Sequence, residues 1–151
     1  MPNRIMAAID GSDHGWRALD VAVDEARAHD AELIALHVIP HEPLSEALRA
    51  FAVAEHIDIE EEVARFRYAR TLGDRLTQLA ERRAREAGVK SVRGRSAEGN
   101  PAEQILDVAA EERVDTIVLG SRGLSDAKAL ILGSVSHKVA NQATCTCITV
   151  K

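Results

Sequence analysis

Short apolar runs alternate along the chain with stretches whose apolar positions recur every three or four residues. Residues 5–9 are apolar and end in Asp10-Gly11-Ser12-Asp13, the pattern of a buried strand followed by a turn and a helix start. Trp16, Leu19, Val23 and Ala26 then share one helical face, predicting a helix to about His29. Residues 32–40 place Leu33, Ile34, Ala35, Leu36, Val38 and Ile39 in near-continuous order, as in a strand covered on both faces. Leu44, Leu48 and Phe51 suggest a short helix. From Glu60, the residues Val63, Phe66, Ala69, Leu76 and Leu79 mark a long one that Gly88 ends as a C′ residue, with Gly73 a local weak point. Residues 89–97 alternate weakly and predict a third strand. Asn100-Pro101-Ala102-Glu103 combines an N-cap, a proline at the first helical position and an acidic residue three after the cap. The helix it opens runs to about Arg113. Residues 116–119 predict a fourth strand, 134–141 a last helix and 147–150 a final strand.

This alternation requires parallel strands joined by right-handed crossovers. The expected fold is α/β, a three-layer sandwich with a five-stranded parallel sheet. No linker or repeat divides the 151 residues, so one domain spans 1–151.

Composition narrows the function. The charged fraction is 28% and no apolar run approaches the roughly 20 residues of a membrane span, so no membrane insertion is expected. Asp10 and Asp13 interrupt any signal-peptide core, and a cytoplasmic location is the expectation. A net charge of −5 with 3% aromatics argues against nucleic acid as a partner. Residues 1–75 carry a net −7 and residues 76–151 a net +2, which directs the search for an anion site to the second half. Cys145 and Cys147 cannot complete a zinc site between them, and they read as small residues on one face of a terminal strand, with redox sensing the alternative.

Open parallel sheets bind ligands beyond the carboxyl ends of their strands, where strand order reverses. Asp10 follows the first strand there, and Gly120-Ser121-Arg122-Gly123 follows the fourth. After nine intervening residues comes Gly133-Ser134-Val135-Ser136, opening a predicted helix. Backbone N–H groups at such a helix start, with the Ser134 and Ser136 hydroxyls, make a phosphate cradle; a pair of structural turns is the other reading.

The spacing G-x2-G-x9-G-S at Gly120, Gly123, Gly133 and Ser134 resembles the nucleotide-binding motif of the universal stress protein family. So do Asp10-Gly11-Ser12, Leu36-His37-Val38, Glu98-Gly99-Asn100-Pro101 and the closing Ile148-Thr149-Val150. The resemblance implies an adenine-nucleotide alpha-hydrolase-like fold, a homodimer through the last strand, and ATP with Mg2+ as ligand. Carried over residue by residue, it implies that Ala8, Ile9 and Val38 line an adenine pocket and that Asp10 meets ribose or metal. Gly120, Arg122 and Gly123 would approach ribose and phosphates, and Gly133, Ser134, Val135 and Ser136 the outer phosphates.

Single residues have plainer readings too. Asp10 can cap the following helix, His37 can be a satisfied core histidine, Trp16 fits core or interface, and His137 fits a helix surface. No catalytic residue stands out. Three functions stay open: an ATP-binding regulatory module acting on a protein partner, a slow ATPase or nucleotidyl-transfer enzyme, and a ligand-free structural dimer. The alternating residues of the C-terminal strand make it a candidate edge for a dimer through residues 148–150, with a tetramer through 41–70 as an extension.

Overall fold

The computed structural model describes residues 2–40, 50, 51, 53–56, 60–122 and 133–151, with 60–64 and 68 as backbone only. The short helix expected around 44–51 and the residues Gly123 and 124–132 lie outside or largely outside the described part. Among the described residues, five strands and the four helices that join them follow in the expected order. They are β1 (Arg4–Ala8), α1 (Asp13–His29), β2 (Glu32–Ile39), α2 (Glu60–Glu86), β3 (Val92–Glu98), α3 (Pro101–Glu111), β4 (Thr116–Gly120), α4 (Ser134–Gln142) and β5 (Thr146–Val150).

The sheet is parallel throughout, in the order β3-β2-β1-β4-β5. Strands β1 to β3 step outward toward one edge, and β4 and β5 step toward the other. With right-handed crossovers this reversal puts α1 and α2 on one face and α3 and α4 on the other. Side-chain alternation builds a core on each face. Ile5, Ala7, Leu33, Ala35 and Val118 meet Ala18, Leu19 and Ala22 of α1 on the first. Met6, Ile34, Leu36, Ile117 and Leu119 meet Ala102, Ile105 and Val108 of α3 and Val139 of α4 on the second. Trp16 packs against the first core, with Arg83 lying 4.2 Å over its ring, as the core reading anticipated.

Three helices end alike. Gly88 has φ +100°, its amide donates to the Arg85 carbonyl, and Val89 N–H reaches back to Ala84, so the Gly88 stop is a Schellman turn. Val89 is buried in that turn, which is why β3 begins at Val92 rather than at 89. Asp30 and Arg113 take the same left-handed position after α1 and α3, followed by buried Ala31 and Val114.

The amino end of the sheet carries an ionic network. Glu32 accepts from Arg4 Nε and Arg93 Nε, both at 2.8 Å. Glu112 accepts from both terminal nitrogens of Arg93 and from Arg95 at 2.6 Å, and Arg95 also reaches Glu111 at 2.6 Å. The Arg93 guanidinium, seconded by Arg95, holds the Glu112 carboxyl down to about 2, from an ordinary value of 4.5. Because the folded value lies below the unfolded one, this stabilisation is complete above about pH 4.5 and is lost as pH falls toward 2. Glu32, lowered by Arg93 and then Arg4, works in the same direction. Glu112→Gln is expected to lower stability at pH 7 by about 1–2 kcal/mol, discounted because Arg93 is partly solvent-screened. It should also flatten the fall between pH 5 and 2 in urea denaturation series. A slope equal to wild type would refute the assignment.

Candidate functional site

A cleft of about 240 Å³ opens at the carboxyl ends of β1, β2 and β4, at the point where strand order reverses. Ala8, Ile9, Asp10, Val38, Gly120, Arg122, Val135 and Ser136 line it, so the structure gathers eight of the expected site residues in one place. Gly133 and Ser134 precede this wall at the start of α4 and do not line it; Gly123 lies outside the described residues. Leu36, Pro40, Pro101, Ile105 and Leu119 add apolar wall, which suits a flat aromatic ligand. His37 also lines it, and sequence reasoning placed that residue only in the core.

The strand ends set the polar groups. Leu36 turns its carbonyl to β1 and accepts from Ile9 N–H at 2.9 Å, while Ile39 turns its carbonyl away to accept from Gly99 at 3.0 Å. By the alternation of a strand, the Val38 amide and carbonyl face the β1 side, just beyond the end of β1. Among the described residues neither has a hydrogen-bond partner. The resemblance implied only that Val38 lines an adenine pocket; its backbone is the more informative part, and the signal in the residues was only the end of a strand run.

Asp10 serves the local turn with one oxygen. Its Oδ1 accepts from Ser12 N–H at 3.0 Å and from the Ser12 hydroxyl, and Ser12 Oγ in turn caps α1 by accepting from Gly15 N–H at 3.1 Å. A Cβ on Gly15 would stand 2.7 Å from that oxygen, so any larger residue there would push the Asp10 carboxylate out of this turn. The capping role of Asp10 is therefore met through Ser12.

Ser121 joins the pieces of the far wall. Its N–H donates to Val150 at 2.7 Å, and its carbonyl accepts from Gly133 N–H at 2.5 Å and Ser136 Oγ at 2.9 Å. Its hydroxyl lies 3.2 Å from His14 Nδ1. The Ser136 proton is thus committed to protein carbonyls, the second being Gly133 at 3.0 Å. What α4 offers a ligand is its backbone. Gly133 is the N-cap and, among the described residues, no side chain caps this end, whereas Ser12 and Asn100 cap α1 and α3. The amides of Ser134, Val135 and Ser136 precede the first intrahelical bond, His137 N–H to Gly133, which leaves three donors with no partner among the described residues and the positive helix end. Among the described residues no group of three His, Cys, Asp or Glu side chains is placed to hold a metal, and Asp10 is the one acidic residue on the cleft wall.

The sequence matches the universal stress protein family over residues 1–151. The chain is a universal stress protein. It is 39% identical to Universal stress protein YxiE of Bacillus subtilis, over all of both chains. Its fold matches the structure of universal stress protein UspA from Lactobacillus plantarum with a TM-score of 0.74 at 26% identity, covering 99% and 97% of the two chains. A universal stress protein solved in complex with cAMP matches with a TM-score of 0.71 at 25% identity, covering 99% and 96%.

Two other expectations resolve here. His137 is exposed on α4 with Nε2 accepting from Asn141 at 3.2 Å, a helix-surface role. Cys145 and Cys147 pack together against the second core, and burial pushes both thiols up, away from the reactive thiolate. Among the described residues, no helix is long and apolar enough to cross a membrane.

Proposed function

We propose that this universal stress protein binds an adenine nucleotide, ATP above all, as a regulatory module whose nucleotide state is read by a partner protein. The observation that carries this reading is the pairing of two features across one cleft: the Val38 backbone edge and the uncapped start of α4. A neighbouring N–H and C=O match the adjacent ring nitrogen and amino group on the edge of adenine. The amides of Ser134, Val135 and Ser136 suit phosphate oxygens. The second oxygen of Asp10 is left for a ribose hydroxyl, and Arg122 adds positive charge to the wall. The cAMP held by a structurally similar family member supports an adenine ligand. Mg2+ fits as a companion of the triphosphate, held by phosphate and water with Asp10 as the nearby carboxylate, because Mg2+ commonly takes only one or two protein carboxylates.

We assign a homodimer to β5. The outer edge of β3 is filled by α2: Glu81 accepts from Gly94 N–H, and Arg85 donates to the Val92 carbonyl at 3.2 Å. The outward groups of Cys147 and Thr149 on β5 have no such side-chain partner among the described residues, so that edge is the one open to a second copy.

The test is to denature the purified protein, identify released nucleotide by mass spectrometry, and titrate the emptied protein with ATP–Mg2+ and GTP–Mg2+ while sedimentation reports its mass. Bound ATP, or micromolar affinity for ATP with GTP at least tenfold weaker, is the expected result. An emptied dimer that ignores both nucleotides would favour the ligand-free structural reading. Steady release of ADP after rigorous purification would favour the slow ATPase.

A further inference from the structure

We infer that His37 is a positioning residue for the base: its ring occupies the Ile9 carbonyl that the Val38 amide would otherwise take, and so keeps that amide presented to the cleft. This rests on the adenine reading of the cleft. In a regular parallel ladder, Leu36 bonds β1 at Ala7 and Ile9, and the next rung would carry Val38 N–H to the Ile9 carbonyl. The first rung is present, with Ile9 N–H donating to Leu36 at 2.9 Å. The second is absent, and His37 Nδ1 lies 2.9 Å from the Ile9 carbonyl in its place. A carbonyl only accepts, so Nδ1 is the donor in this pair. The ring's other side is held by α2: a Cβ on Gly73 would stand 2.8 Å from His37 Cδ2 and 3.4 Å from Nε2. Gly73, which read in sequence as a weak point of the long helix, is the space that lets the ring lie on Ile9.

The experiment compares wild type with His37→Leu, His37→Asn and Gly73→Ala, each as the full chain. Amide hydrogen exchange at Val38 is followed without ligand, and ATP and GTP affinities are measured alongside Tm. Asparagine places an N–H donor where Nδ1 stands, so His37→Asn should keep ATP affinity within about twofold. His37→Leu should bind ATP roughly tenfold more weakly, the worth of one hydrogen bond to the base, with less preference over GTP. Its Val38 amide should gain protection as it pairs with Ile9. Gly73→Ala should weaken ATP binding in the same sense by crowding the ring, although alanine is the better helix former. Equal ATP affinity in wild type and His37→Leu, or no gain of protection at Val38, overturns the role of His37 alone. A wild-type protein that binds no adenine nucleotide overturns the reading of the cleft and this role with it.

Discussion

Gly120→Val is expected to lower stability by about 3 kcal/mol and Tm by roughly 10 °C, and to abolish nucleotide binding in the protein that remains folded. A Cβ on Gly120 would stand 2.7 Å from His14 Cβ, 2.9 Å from the His14 carbonyl carbon and 3.0 Å from its oxygen. Two of these atoms are backbone in the first turn of α1, and a rotamer change cannot relieve them. The end of β4 and the start of α1 must then separate. That motion pulls His14 from Ser121, and Ser121 is the residue that joins β5, Gly133 and Ser136. Both walls of the cleft move together. Gly11→Ala is the contrasting control. Gly11 has φ +85° and open space around it, so the substitution should cost only about 1 kcal/mol from backbone strain. Thermal denaturation of both variants decides it, and a Gly120→Val protein as stable as Gly11→Ala would show that α1 does not seat against β4 as described.

The order of elements, both layers and the location of the cleft were legible in the sequence, because apolar period and capping residues act locally. Asn100-Pro101 opens α3 and Gly88 closes α2 as the residues alone required. Asp30 and Arg113 were not legible as helix stops, since neither is the glycine that the left-handed position favours. What the sequence concealed are contacts between residues far apart in the chain. Gly120 suggested close phosphate approach, and nothing in the residues alone showed that a Cβ there would also meet His14 of α1. His37 read as a satisfied core histidine, and it is satisfied, but only the register of β1 on β2 reveals that its acceptor borders the cleft. The Arg93–Glu112 pair likewise depends on which strand stands beside β2. The Ser136 hydroxyl illustrates a different limit: residue type suggested a phosphate donor, while the fold spends its proton on Ser121 and Gly133.

That last point makes the backbone of α4 the sharper target, and Ser134→Pro isolates it. Proline is well tolerated at the first helical position, where its fixed φ suits the helix and no intrahelical bond is lost. It also demands an extended residue before it, and Gly133 already has φ −67° and ψ 164°. Stability should therefore stay within about 0.5–1 kcal/mol of wild type. The substitution nevertheless deletes one of the three amides at the positive end of the helix that have no partner among the described residues. A charge-assisted hydrogen bond contributes about 1.5–3 kcal/mol, so ATP should bind roughly 10- to 100-fold more weakly. Adenosine, which has no phosphate to lose, should bind as it does to wild type. Ser134→Ala keeps the amide while removing the hydroxyl, and should sit much closer to wild type for ATP. Calorimetric titration of the three proteins with ATP and adenosine separates the contributions. If Ser134→Pro binds ATP unchanged, the start of α4 does not hold the phosphates. If it loses ATP and adenosine equally, the substitution has disturbed the base pocket instead. A loss confined to ATP would mean that this end of α4 is left without a side-chain cap because the ligand completes it.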